Sequence, residues 1–202
     1  MKDGVIKYKI KHKYKKAPKF TNYKKLEKLR TRLFALGLIG ELDGIGYGNL
    51  SIRSDKEKTF FITATQTGKK SNLENKYYTY ISGYDFSQFK VVSKGLYKPS
   101  SEALSHAMIY EIHPDINSVI HIHSAPLWKF MKKNEYLSTT AEYGTVEMVK
   151  EIASLYDDKN PFKDNIFVMK GHEDGIITFG RSIKEAELTL YKMMRKYMNE
   201  KK

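Results

Sequence analysis

Ser118-Val-Ile-His-Ile-His123 reads as a β-strand with two unlike faces. Side chains alternate across a strand, so His121 and His123 share one face while Ile120 and Ile122 share the other. The isoleucines mark the strand as partly buried, and buried imidazoles need partners. Two histidines at i and i+2 bring their Cβ atoms near enough to hold one cation, with a third ligand drawn from elsewhere. On a solvated strand the same pair would be ordinary polar surface.

Working upstream, Pro99-Ser-Ser-Glu102 opens a helix whose Leu104, Ala107, Met108 and Ile112 share one face. His113-Pro-Asp115 ends it, because proline cannot continue the ladder and restricts the residue before it. Glu102 then lies in the first helical turn, as compensation for the helix dipole or as a carboxylate beside a metal. Downstream, Thr145 caps a helix carrying Val149, Ile152 and Tyr156. The strands Ile166-Phe-Val-Met169 and Ile176-Ile-Thr-Phe179 flank Gly171-His-Glu-Asp-Gly175, a loop able to aim His172 inward. Ser182 and Glu185 form a capping box ahead of Ile183, Ala186, Leu190, Met193 and Tyr197 on a last amphipathic helix.

Nearer the start, Leu26, Leu29, Leu33 and Leu36 predict a helix capped by Asn22 and stopped at Gly37 or Gly40. Gly44 to Arg53 reads as a flexible loop entering a strand, Phe60–Thr63 as a strand, and residues 77–97 as further strands of the same sheet. In residues 5–14 lysines at 7, 9, 11 and 13 alternate with Ile6, Tyr8, Ile10, His12 and Tyr14. That basic stretch is either an arm for an anionic partner or an edge strand whose lysines deter edge-to-edge pairing, and its regularity favours the strand. Strands and helices mix without strict βαβ alternation. The expected fold is α/β, with a central, largely antiparallel sheet flanked by helices.

Composition narrows the function. The 202 residues fit one domain, 1–202, with 41% apolar and 29% charged residues. The apolar stretch Leu33 to Ile45 is broken by Gly37, Gly40, Glu41, Asp43 and Gly44, so no membrane span is expected. The Lys-rich start lacks the apolar segment of a signal peptide, which makes a cytoplasmic location the default expectation. The absence of cysteine excludes thiolate metal sites and leaves His, Asp and Glu as ligands. The net charge of +13 comes mostly from lysine, whereas specific nucleic-acid readers lean on arginine, so no nucleic-acid partner is expected.

Several of these segments occur together in one known family. Gly48-Asn-Leu-Ser-Ile-Arg53, Ile62-Thr63 with Thr67-Gly68, Pro99-Ser-Ser-Glu102, Val119-Ile-His-Ile-His-Ser124 and the Gly171-His172 loop resemble class II aldolase/adducin proteins in order and approximate spacing. The likeness runs from about Leu29 to about Tyr197, and the Pro-Ser-Ser-Glu and His-x-His-Ser pair is its most specific part.

The resemblance implies a three-layer α/β/α sandwich and one divalent metal ion, usually zinc, on three histidines matching His121, His123 and His172. It implies Glu102 as the catalytic acidic residue, and Asn49, Thr67, Gly68, Ser100 and Ser101 around the phosphate of a sugar-phosphate substrate. It also implies a homotetramer. Hydroxyls, loop amides and a helix start are the donors a phosphate needs, which supports that group independently.

This chain departs from the family pattern twice. Ile62-Thr-Ala-Thr-Gln-Thr-Gly68 is longer than the family's usual Ile-Thr-Pro-Thr-Gly, leaving either Thr65 or Thr67 to face the phosphate. Glu173 and Asp174 follow the third histidine, which brings a different substrate or a fourth ligand into play.

The implied reaction is retro-aldol cleavage of a phosphorylated ketose through a metal-stabilised enediolate, with Glu102 moving the proton. A second acid is needed at the oxygen, and Tyr143 in Glu142-Tyr-Gly-Thr145 is the candidate, its alternative being a packed loop tyrosine. Epimerisation and dehydration of related sugar phosphates share the site. A non-catalytic, adducin-like interaction domain predicts lost histidines, and this chain keeps all three.

Overall fold

A computed structural model describes residues 4–55, 57–156 and 160–201. In chain order the elements are β1 (Lys9–Tyr14), α1 (Tyr23–Ala35), β2 (Gly40–Leu42), β3 (Ile45–Tyr47), β4 (Asn49–Arg53), β5 (Phe60–Thr63), β6 (Tyr78–Asp85) and β7 (Lys90–Gly95). They continue with α2 (Ala103–Ile112), β8 (Ser118–His123), α3 (Ala125–Lys133), β9 (Ser138–Thr139), α4 (Val146–Leu155), β10 (Ile166–Met169), β11 (Gly175–Gly180) and α5 (Ile183–Glu200).

Among the described residues nine strands form one sheet in the order β1-β7-β6-β5-β4-β8-β11-β10-β9. The expectation of a largely antiparallel sheet needs correction, because the sheet is mixed. The inner ladders are antiparallel, but β1 pairs with β7 and β9 with β10 in parallel at the two edges. A parallel pair cannot be closed by a tight turn, so both edges depend on long returns of the chain that local alternation does not reveal.

The two sheet faces are covered by different helices. Leu26, Leu29 and Leu33 of α1, Leu127 and Met131 of α3, and Leu190 and Met193 of α5 pack with Ile120 and Ile122. On the other face, Leu104 and Ala107 of α2 and Met148 and Ile152 of α4 pack with Val119, Ile177 and Phe179. The histidine face of β8 therefore lies under α2.

Several local expectations shift. The strand expected from residue 5 begins at Lys9, and its alternating exposure on the sheet edge agrees with the edge-strand reading. Within the stretch expected as a loop from Gly44, Ile45–Tyr47 is the second strand of a β2–β3 hairpin. Its turn residues Asp43 and Gly44 both adopt positive φ, 51° and 79°, the pattern Asp-Gly favours in two-residue hairpins. Asn22 stands at the cap position of α1, but its side chain makes no capping bond. Glu102 sits one residue before α2 rather than inside it, and α2 is buried nearly all round, including Ser105, His106, Ile109 and Tyr110. Ser182 accepts from the Glu185 amide, but the Glu185 carboxylate reaches the Arg181 amide instead of Ser182. The helix α3 and the short β9 are elements beyond those the sequence predicts.

Candidate metal centre and anion cleft

Register builds the metal end of the site. In the β4–β8 ladder Asn49 stands opposite His121, and in the β8–β11 ladder Gly175 stands opposite His123. His172 occupies the tight turn before β11, closed by a bond from the Gly175 amide to the His172 carbonyl at 3.0 Å. A Cβ on Gly175 would lie 2.7 Å from His172 Cδ2 and 3.2 Å from His121 Cε1, so only glycine leaves both rings their room.

The three imidazoles converge. His123 Nε2 is 3.1 Å from His121 Nε2 and 3.1 Å from His172 Nε2. Burial, then the neighbouring His123 and His172, holds His121 well below the ordinary histidine range. Burial, then His172, pushes His123 down to about 3. Both shifts favour the neutral ring, whose nitrogen can offer a lone pair. His121 Nδ1–H donates to the Ile176 carbonyl at 3.2 Å, which turns the Nε2 lone pair toward the cluster.

A four-coordinate zinc on nitrogen donors at about 2.0–2.1 Å would space them about 3.3–3.4 Å apart. The triad fits a divalent metal of that kind. Among the described residues these three histidines form a metal-capable group, their ligand atoms within 4.8 Å of one another. Glu173 and Asp174 do not join it: Glu173 is exposed, Asp174 half-buried, and neither lines the cleft. The fourth-ligand expectation is corrected because the turn that aims His172 inward points its two successors outward.

Glu102 is 3% exposed, and its Oε2 lies 3.1 Å from His121 Nε2. The Asn49 amide donates to the same oxygen at 2.6 Å, fixing the carboxylate at the rim of the triad. Tyr143 is buried beside it, with its ring centroid 4.8 Å from that of His172.

One cleft, open to solvent, brings all ten expected site residues together. Asn49, Thr67, Gly68, Ser100, Ser101, Glu102, Tyr143, His121, His123 and His172 all line it. Thr65 and Thr67 both line it too. Thr67 Oγ1 donates to the Ala64 carbonyl at 2.7 Å and Thr65 Oγ1 to the Gly4 carbonyl at 3.3 Å, so each hydroxyl proton is already used. Tyr47, with its ring 5.1 Å from His123, is a lining residue that sequence reasoning missed.

Two supporting residues were also missed. Arg30 of α1 is 1% exposed and donates to the carbonyls of Thr67 at 3.0 Å, Ser71 at 3.1 Å, and Lys70. It gathers the 67–71 loop onto α1. Glu27, 3.8 Å from Arg30, accepts from the Leu73 amide at 2.7 Å and extends the clamp. The signal was present: Arg30 occupies the stripe of Leu26, Leu29 and Leu33, where a charge has no reason to sit unless it is partnered.

His106, fully buried one turn after Glu102, has Nδ1 2.7 Å from Ser51 Oγ, which lies 2.7 Å from the Tyr110 hydroxyl. That chain packs behind the metal end, and only its position one helical turn from Glu102 hinted at it.

A three-layer α/β fold with three inward histidines and a carboxylate on one cleft defines a class of metal-capable proteins. Residues 38–196 match the family described as Class II Aldolase and Adducin N-terminal domain, and the chain belongs to that family. It is 30% identical over 105 residues to an L-fuculose phosphate aldolase of Methanococcus maripaludis, covering 44% of this chain and 53% of that protein. The match thus spans about half the length of that relative. Among solved structures, an L-fuculose 1-phosphate aldolase superposes with a TM-score of 0.64 at 21% identity over 88% of this chain and 85% of its own. A sugar-phosphate aldolase from Thermotoga maritima gives 0.64 at 18% identity over 86% and 90%. These structures establish likeness of fold.

Proposed function

We propose that this protein is a zinc-dependent lyase that cleaves a phosphorylated ketose by a retro-aldol reaction. The observation that carries the reading is the convergent three-imidazole group with the Glu102 carboxylate 3.1 Å from His121. Neutral ligands would leave a divalent cation its full charge, so that when bound it polarises a substrate oxygen and offsets negative charge there.

The chain's own residues then divide the remaining work. Cleavage takes one proton from the hydroxyl of the carbon that becomes an aldehyde, and delivers one to the carbon that keeps the bonding pair. Glu102 serves the carbon, held in place by the Asn49 amide. Tyr143, placed against the His172 ring, relays the proton of the oxygen, passing its own phenol proton to water in the cleft as it takes up that of the hydroxyl. Ser100, Ser101, the second amide proton of Asn49 and the Thr67-Gly68 loop take the phosphate in the same cleft. For Thr67 to donate, its hydroxyl must turn away from the Ala64 carbonyl. A cytoplasmic homotetramer belongs to the same reading.

The test is a screen of zinc-loaded protein against a panel of phosphorylated ketoses, with aldehyde release and product identity both followed. Glu102→Gln keeps the side-chain size and removes the carboxyl oxygen that carries the proton, so turnover should fall about a hundredfold or more with an unchanged circular-dichroism spectrum. Epimerised or dehydrated products in place of aldehyde would reassign the reaction. No turnover on any member of the panel would end the lyase reading.

A further inference from the structure

The family match starts at residue 38, yet the segment just before β1 reaches the cleft at three separate loops. Gly4 lines the cleft and its carbonyl accepts from Thr65 Oγ1 at 3.3 Å. The Lys7 ammonium lies 2.6 Å from the Glu142 carboxylate, donates to the Tyr143 carbonyl at 3.1 Å, and sits 4.2 Å from the centroid of the Tyr143 ring. The Tyr8 hydroxyl, on a buried side chain, donates to the Ser100 carbonyl at 2.8 Å.

The arm is anchored where it leaves the cleft. Lys9 donates its amide to Phe89, and six residues of β1 pair in register with β7. His12 adds bonds to Ser93 and Gly95 at 2.8 and 3.1 Å. An anchored strand delivers the residues before it to fixed places, so these three contacts act as one brace.

We propose that the Gly4–Tyr8 arm is a wall of the cleft that sets its specificity, with Lys7 positioning Tyr143 and Tyr8 positioning the Ser100 turn. The part concerning Tyr143 rests on the proposed lyase reading. Glu142 neutralises Lys7 at close range, so Lys7 contributes placement rather than a net field on the anion. Tyr8 is neutral and acts through the Ser100 carbonyl, which fixes the turn whose hydroxyls face the cleft. The two adjacent residues therefore control different ends of the site.

The experiment uses the full zinc-loaded chain and inorganic phosphate as the probe, with affinity read by calorimetry and backbone exchange read at residues 142–144. Tyr8→Phe should weaken phosphate about tenfold, on the scale of one lost buried hydrogen bond, and leave exchange at 142–144 alone. Lys7→Met should leave phosphate affinity unchanged and speed exchange at 142–144, while Lys7→Arg restores protection. Where a ketose phosphate is cleaved, Lys7→Met should lower kcat with KM held, and Tyr8→Phe should raise KM. Lys9→Met, on the exposed side of β1, is the unchanged control.

Variants matching the wild type in both binding and exchange would overturn the proposal, as would equal losses in both measurements for both. If the wild type cleaves no ketose phosphate, the lyase reading fails while the phosphate and exchange measurements still judge the arm.

Discussion

The two ends of the cleft are built by different means. At the metal end, β4, β8 and β11 lie side by side, and ladder register alone brings Asn49 opposite His121 and Gly175 opposite His123. Elsewhere in the cleft, the loops at 64–68, 99–102 and 142–144 lie outside the strands; an isolated bridge ties Ala64 to Pro99, and distant side chains add bonds to each loop. Arg30 grips the first from α1, Tyr8 the second and Lys7 the third. Regular structure specifies its geometry through period and pairing, whereas loops take theirs from bonds made across the fold. Metal ligation should therefore resist changes outside the sheet, and anion binding should not.

The sharpest break of that contrast is His123→Ala. The Ile120 and Ile122 face still packs, so the strand should survive while zinc falls from about one per chain toward none in elemental analysis. Loss of several kcal/mol of charge stabilisation corresponds to a fall in activity of about a thousandfold or more. Retention of stoichiometric zinc would show that the ligand set lies elsewhere.

Arg30→Lys probes the opposite end. It keeps the charge but cannot span the Thr67 and Ser71 carbonyls as a planar fork. Zinc content should stay unchanged and phosphate affinity drop by about tenfold, with about 2–3 kcal/mol lost from stability, roughly 5–10 °C in Tm for a chain of this size. Equal injury to zinc content would mean that the two ends are not independently built.

The smallest effect concerns the packing behind the metal end. Burial pushes His106 down to about 3, against 6.5 in an unfolded chain. The unfolded state therefore takes up that proton first. Stability is complete above about pH 6.5 and declines as pH falls toward 3, by about 1.4 kcal/mol per pH unit for each such proton. His121 and His123 shift in the same direction, so the metal-free wild type should decline more steeply than one proton allows. His106→Gln should remove one proton's worth of that slope in urea unfolding with chelator between pH 6 and 4. An unaltered slope would mean that His106 is not the buried neutral base described.

Much of the metal end was legible because it is periodic. The bounds of β5, β8 and β10 follow from short apolar runs, and the inward face of β8 from simple alternation. Of the ten expected site residues that share one cleft, those on strands follow register, whereas those on loops and turns depend on contacts across the fold. Less legible were the supports. Arg30 looks like a surface arginine until its neighbours on the stripe are counted, and Lys7 looks like one more lysine of a basic edge.

The sequence by itself determined β5, β8 and β10, the paired histidines and a helix start close after Glu102, because period and local turn chemistry act over a few residues. Only the tertiary structure decided that the sheet has parallel edges, that Glu173 and Asp174 lie outside the histidine group, and that Arg30, Lys7 and Tyr8 brace loops of the cleft. Those outcomes depend on contacts between residues far apart in the chain, from Lys7 with Tyr143 to Arg30 with Thr67. No local pattern encodes them, since the bonds that fix each loop come from a segment with a separate structural reason to be where it is.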